Sequence, residues 1–187
     1  MEDIGSKRQR LIELMASKAY LEGDFVLTSG RRSSHYFDLK RLTLDPEGLD
    51  LIAWLLVDRL KEAGITAVGG LAIGADPVVA GVVHASWQSG NPIQGFIVRK
   101  EPKGHGTGSW IEGPVTPGTA VALVDDVVTS GGSMIRAAEG ARAECLDPRV
   151  ALAVVDREEG GAENIEAECG LKLQALFKYS ELNLAGA

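Results

Sequence analysis

The sequence predicts an α/β protein in which a mostly parallel sheet is flanked by helices, and three observations predict it. Near-continuous apolar runs recur along the chain, "TAVGGLAI", "IQGFIVRK", "AVALVDD", "RVALAVVDR" and "LKLQALFKY". Strands covered on both faces read this way, whereas a sheet with one wet face alternates apolar and polar residues. Helical patterns separate several of the runs, which is the strand–helix order of a parallel sheet. The residues that suit a core least, among them Asp125 and Asp126, fall at the carboxyl ends of runs, where ligands bind in such sheets.

Each element has a local reason. "RQRLIELMASKAYL" spaces Leu11, Leu14, Met15 and Ala19 at helical intervals ahead of Gly23, so a first helix is expected there. "DFVLTSGRRSSHYFDLKRL" follows as two short strands around a Ser/Gly/Arg turn. "DPEGLDLIAWLLVDRLKEAG" is a strong helix, with Asp45 as N-cap, Pro46 at the first helical position and Gly64 as its stop. Leu49, Ile52, Ala53, Leu56 and Leu60 make its apolar stripe. The run "TAVGGLAI" ends in a Gly74-Ala75-Asp76-Pro77 loop before the helix "VVAGVVHASW", and "IQGFIVRK" leads into the glycine-rich "EPKGHGTGSWIEGPVTPG". "AVALVDD", the loop "VVTSGGS" and the helix "MIRAAEGARAE" come next, and "RVALAVVDR" and "LKLQALFKY" supply the last strands.

Composition narrows the function. With 187 residues, 45% hydrophobic and 24% charged, one domain spanning 1–187 is expected. No apolar run approaches the roughly 20 residues of a membrane helix, and "MEDIGSKRQRLIELMASKAY" is too charged for a signal peptide. A cytoplasmic protein without a membrane partner is the expectation. Cys145 and Cys169 lie apart from each other and from any histidine cluster, which suggests neither a disulfide framework nor a zinc site. A net charge of −7 argues against a sequence-independent grip on nucleic acid.

The stretch "VALVDDVVTSGGS" carries the chemistry. Adjacent carboxylates repel and dislike low dielectric, so Asp125 and Asp126 need a reason outside the core. A Thr/Ser/Gly loop between strand and helix leaves backbone N–H groups exposed at a positive helix end, which is a phosphate site. Thr129, Ser130 and Ser133 add hydroxyl donors. A carboxylate pair just upstream suits ribose hydroxyls or a hydrated magnesium ion, and together these imply a ribose 5-phosphate. The bland reading is a capped helix start with a hydrophilic turn.

"VALVDDVVTSGGS" resembles the phosphoribosyl diphosphate (PRPP) signature of type I phosphoribosyltransferases, and "RKEPKGHGTGSWIEG" resembles the mobile catalytic loop of the orotate phosphoribosyltransferase family, R-K-E-x-K-x-H-G-x-G. "FVLTSGRRSSHYFDLK" is similar to that family's amino-terminal hood and "VVDREEGG" to its base-binding arginine segment. The resemblance runs from about the first helix to about Gly161. It implies the type I phosphoribosyltransferase fold with a small hood over about 1–45 and a mobile loop over about 100–113. It also implies Mg2+-dependent transfer of ribose 5-phosphate from PRPP to orotate, giving orotidine 5'-monophosphate and diphosphate in UMP biosynthesis. A homodimer whose loops serve the neighbouring site is implied as well.

Residue by residue, the resemblance implies catalysis by Lys103, His105, Asp125 and Asp126. It implies PRPP contacts from Arg99, Lys100, Lys103, His105, Asp125, Asp126, Val127, Val128, Thr129, Ser130, Gly131, Gly132 and Ser133, and orotate contacts from Thr129 and Arg157. Gly74, Ala75 and Asp76 are assigned to a diphosphate and magnesium loop, with the ion held mainly through substrate. The loop also makes sense without the name. Arg99, Lys100, Lys103 and His105, interleaved with glycines in an acidic protein, form a cationic segment able to close over an anion such as departing diphosphate. Arg157 closes "RVALAVVDR" and suits bidentate capture of a carboxylate, unless it simply pairs with Asp156, Glu158 or Glu159. His35, Tyr36 and Phe37 are candidates to wall the base.

The chain departs from the resemblance in two places. Thr28 stands where other members carry a hood lysine, and Ile73 and Gly74 stand where they carry a Tyr-Lys pair. Another branch of the family carries G-A-D-P here. The alternatives are a purine or other base phosphoribosyltransferase, which need not have the basic loop or Arg157, and a pyrimidine regulator on the same fold acting on nucleic acid.

Overall fold

A computed structural model describes residues 3–26, 32–102 and 109–182. Helix α1, Ile4–Leu14, opens the chain, capped by Asp3, whose carboxylate accepts from the Gly5 amide. A wide turn, Met15–Ala19, keeps Met15 and Ala19 buried and ends the helix earlier than the apolar spacing suggests. From Tyr20 the chain is extended because it has a partner: β1, Tyr20–Val26, pairs antiparallel with β2, Arg32–Phe37, in register Tyr20↔Phe37. These two strands are the expected hood. Short α2, Lys40–Thr43, then leads to α3, Pro46–Glu62. Asp45 caps α3 through the Gly48 amide, as its position before Pro46 predicts.

The main sheet has six strands in the order β5-β4-β3-β6-β7-β8. They are β3 (Ala67–Leu71), β4 (Gln94–Val98), β5 (Ile111–Glu112), β6 (Ala120–Val128), β7 (Asp147–Asp156) and β8 (Leu173–Lys178). All neighbours run parallel except β5, which pairs antiparallel with the end of β4. Helices α4 (Asp76–Gln88), α5 (Gly132–Ala143) and α6 (Gly161–Cys169) connect the strands, and a short 3-10 turn, Tyr179–Leu182, follows β8.

Two hydrophobic layers cover the sheet. Ala122 and Val124 of β6 face α1, α3, α4 and the hood residues Phe37, Leu39 and Leu42, whereas Val121 and Leu123 face α5 and α6. The hood therefore shares a core with the sheet.

Several expected boundaries move. Helix α4 begins at Asp76, so Asp76 belongs to its first turn and not to the preceding loop. Strand β6 continues through Val128, so Asp125, Asp126, Val127 and Val128 lie within a paired strand, held by β7 as far as Val128↔Asp156. Ile111 and Glu112, expected inside the mobile segment, are in the sheet. The helix α6 was not expected, because only Ile165 and Cys169 of its charged sequence are buried apolar side chains.

Gly70 shows how tightly the centre is packed. A Cβ there would collide with the Val124 carbonyl oxygen and the Cβ of Ala75, so β3 and β6 approach as only glycine permits. Gly70→Ala is expected to lower the unfolding free energy by about 1–3 kcal/mol through overpacking. It should be seen as a lower urea midpoint at unchanged slope.

Candidate functional site

The site grows out of the carboxyl end of β6. Side chains alternate across a strand, so Asp125 continues the face of Val121 and Leu123, toward α5, while Asp126 continues the face of Ala122 and Val124, toward the hood. Both carboxylates are nearly buried, 7% and 8% exposed. Each accepts a bond from the next backbone amide, Asp126 N to Asp125 Oδ1 at 3.0 Å and Val127 N to Asp126 Oδ1 at 2.8 Å. Burial pushes the Asp125 carboxyl up to about 8, and the Asp126 carboxylate beside it adds to the rise. Lys40 pulls the other way: its Nζ stands 3.5 Å from Asp126 Oδ2.

Asp125 also lines a cleft of about 280 Å³ that includes Val127, Val128, Thr129, Ser130, Gly131, Gly132, Ser133 and Arg136. Gly131 occupies the N-cap of α5 in the left-handed region, φ 84°, and no side chain caps the helix. A Cβ at Gly131 would stand 2.9 Å from the Gly161 carbonyl oxygen. The bend is therefore fixed by glycine, and it leaves the first amides of α5 without a side-chain acceptor. Thr129, Ser130, Gly132 and Ser133 are exposed at the mouth, and Asn164 braces the loop by donating to the Ser130 carbonyl at 3.0 Å.

The turn after β3 closes over the carboxylates. A Cβ on Gly74 would lie 3.2 Å from Asp126 Oδ1 and 3.3 Å from Asp125 Oδ1, so a side chain here would crowd the pair. Next to it Ala75 is buried, and Asp76 has a buried Oδ1 without a hydrogen-bond partner.

Arg157 reaches the same edge from β7, its amide donating to the Val128 carbonyl at 2.8 Å. Its guanidinium pairs with Glu159 at 3.1 Å and lies 4.6 Å from the Tyr179 ring centroid. The ion pair weighed from the sequence is thus present, with Glu159 as partner. Arg99 is not brought to the cleft lining: its Nη2 bonds Glu112 Oε1 of β5 at 2.6 Å. Lys100 is exposed beside it, whereas Lys103, His105 and the His35 side chain lie outside the described residues. Phe37 packs edge-on to Tyr179 at 6.0 Å, and Tyr36 lies against Phe25 at 5.4 Å.

Two cations escaped sequence reasoning. Arg136 stands three residues after Ser133, on the same helix face as the loop, and that spacing was a usable signal. Lys40 offered only its place in the basic pair "LKR" after the hood strand. Nothing in the spacing ties it to Asp126, and the pairing arises because α2 packs beside α3.

No family model matches the chain. Curated relatives do: the orotate phosphoribosyltransferase of Rhodopirellula baltica is 45% identical over 180 residues, covering 93% of each chain. That of Aquifex aeolicus is 48% identical over 176 residues, 94% of this chain and 96% of its own. Among solved structures, Mycobacterium tuberculosis orotate phosphoribosyltransferase in complex with PRPP superposes with a TM-score of 0.81 at 34% identity, covering 95% of this chain and 99% of that one. With identity at this level over nearly the whole length, on the sheet and cleft described, the chain belongs to the orotate phosphoribosyltransferase family.

Proposed function

We propose that the chain, as one phosphoribosyltransferase domain, transfers ribose 5-phosphate from PRPP to orotate in the cleft at the end of β6. The observation that carries the reading is the meeting, at one carboxyl edge of the sheet, of two buried carboxylates and an uncapped helix start, with Arg157 on the neighbouring strand end. The amides of residues 131–133, with the Thr129, Ser130 and Ser133 hydroxyls, suit the 5-phosphate, and Arg136 adds charge at the mouth. Asp125 and Asp126 suit the ribose hydroxyls. Arg157 suits the orotate carboxylate, where a planar fork can bind both oxygens, and Thr129 adds a hydroxyl.

Magnesium fits these residues in a restricted way. Asp76, Asp125 and Asp126 offer the carboxylate oxygens that this ion prefers, and Asp76 Oδ1 lacks a partner. Yet the described residues hold no cluster of three or more His, Cys, Asp or Glu side chains able to bind a metal. The ion would take most of its shell from diphosphate and water, and when bound it offsets charge on the leaving oxygens.

The chain's own groups divide the remaining work. As the ribosyl carbon loses diphosphate it gains positive charge, so carboxylates near the ring stabilise it and cations near the leaving oxygens stabilise them. Asp125 and Asp126 take the first role once Asp125 gives up its proton, and Lys40 offsets the charge of the pair. Lys103 and His105 take the second, on the reading of the sequence alone. Arg99, paired with Glu112, anchors the start of that segment to the sheet. The protein is read as a cytoplasmic homodimer with the loop of each subunit serving the other's site. No described helix is long and apolar enough to cross a membrane.

The direct test follows loss of orotate absorbance with PRPP and magnesium. Turnover with orotate and none with hypoxanthine or adenine supports the reading, and turnover with a purine alone would overturn it. Lys103→Ala should lower kcat about a hundredfold, as removal of one preorganised charge does, at unchanged thermal midpoint. Mixed dimers co-refolded from Lys103→Ala and Arg157→Ala chains should regain about a quarter of wild-type activity if loops are exchanged, since each mixed dimer keeps one intact site. Recovery no better than the parents' mean would assign the loop to its own subunit.

Asp125 gives a pH dependence. Its folded pKa, about 8, lies above the ordinary value of 3.8, so the native state keeps a proton that the unfolded chain releases between those values. The associated stability is complete at low pH and is lost as pH rises toward 8. Asp125→Asn removes this loss. The thermal midpoint of the variant should therefore gain on the wild type as pH rises from 5 to 8, and a constant difference would show that the carboxyl is ionised throughout.

A further inference from the structure

At the acceptor end, the Tyr179 ring lies in the turn after β8, 4.6 Å from the Arg157 guanidinium. The turn is pinned from both sides, with the Ser180 amide donating to Glu158 Oε2 at 2.9 Å and the Lys178 amide to Glu181 Oε2 at 3.3 Å. On its other side the ring meets Phe37 of the hood strand edge-on, at an interplanar angle of 81°. Tyr179 is thus a fixed shelf between the hood and the end of β7. Arg157 needs one, because a long guanidinium side chain has many rotamers.

What holds Arg157 otherwise is weak or exchangeable. Its protein anion, Glu159, is 41% exposed against 22% for Arg157, and its Nε is buried without a hydrogen-bond partner. An incoming carboxylate would compete with Glu159 for the same guanidinium, and during that exchange the Tyr179 ring face is the contact among the described residues that keeps the plane in place. We propose that Tyr179 is a positioning residue for the acceptor: its π face fixes the plane of Arg157 so that the fork meets the orotate carboxylate. The inference rests on the reading of Arg157 as the carboxylate-binding residue.

Cation–π attraction depends on the electron density of the ring face, which gives a test that a merely structural role would not satisfy. Full-length enzyme carrying Tyr179→Phe, Tyr179→Leu, or a trifluorinated phenylalanine at 179 would be assayed for the KM of orotate and of PRPP separately. Tyr179→Phe should stay within about twofold of wild type. The trifluorinated ring, of nearly the same shape, and Tyr179→Leu should raise the orotate KM about tenfold, equivalent to about 1.4 kcal/mol, with the PRPP KM unchanged. If Tyr179→Leu does not fold, the fluorinated variant decides alone. An unchanged orotate KM with the fluorinated ring overturns the proposal, as does a parallel rise in both KM values. Arg157→Ala separates the two readings. A large rise in orotate KM for Arg157→Ala beside none for the fluorinated ring rejects only the positioning role. No rise for Arg157→Ala rejects the assignment of Arg157 itself.

Discussion

The structure is organised around two adjacent carboxylates at the carboxyl end of a central strand. Burying Asp125 and Asp126 opposes folding, since desolvation and mutual repulsion both act against the ionised pair. The surrounding architecture reduces that cost without removing it. Each carboxylate accepts a backbone amide, and Lys40 comes in from the hood to pair with Asp126. Gly74 keeps the turn above them free of a side chain. A site built for stability alone would carry apolar residues here, which is what favours reading the pair as part of a binding site.

The same constraint orders the cations of an acidic chain. Arg136, Lys40 and Arg157 reach the sheet edge from a different element each, α5, α2 and the end of β7. On the proposed reading, three separate sources allow the charge to be spread around substrates that carry phosphate at one end and a carboxylated base at the other. Arg99, by contrast, is paired with Glu112, and the backbone pairing of β5 with β4 holds both ends of the glycine-rich segment near each other. The closeness of those ends is a property of the sheet, whatever lies between them.

Legibility in the sequence followed locality. The strand–loop–helix unit of β6 and α5 was readable because strand, carboxylates, loop and helix are contiguous, and the parallel sheet was readable because its strands carry near-continuous apolar runs. Helix α6 was hidden by a charged sequence with few apolar anchors, and β5 by its length of two residues. The boundaries at Asp76 and Val128 moved because tertiary pairing extends elements beyond their local signals, as β7 does for β6. Lys40 and Tyr179 could not be reached from spacing, since their partners lie far away in the chain.

That difference separates the two ends of the site. The part read as binding the donor is a local motif, so it can be carried from protein to protein as one segment. The part read as the acceptor end is assembled from opposite ends of the chain: Phe37 from the hood, Arg157 from the end of β7 and Tyr179 from the turn after β8. Arg8 of α1 strengthens the seam, with its guanidinium 4.2 Å from the Phe177 ring centroid and an ion pair to Glu181 at 3.2 Å. An acceptor site made from both ends of the chain exists only when the hood and the last strand are docked. On this reading, recognition of the base is tied to completion of the fold, whereas the residues read as the phosphate cradle lie together on β6, α5 and the glycine contact with α6.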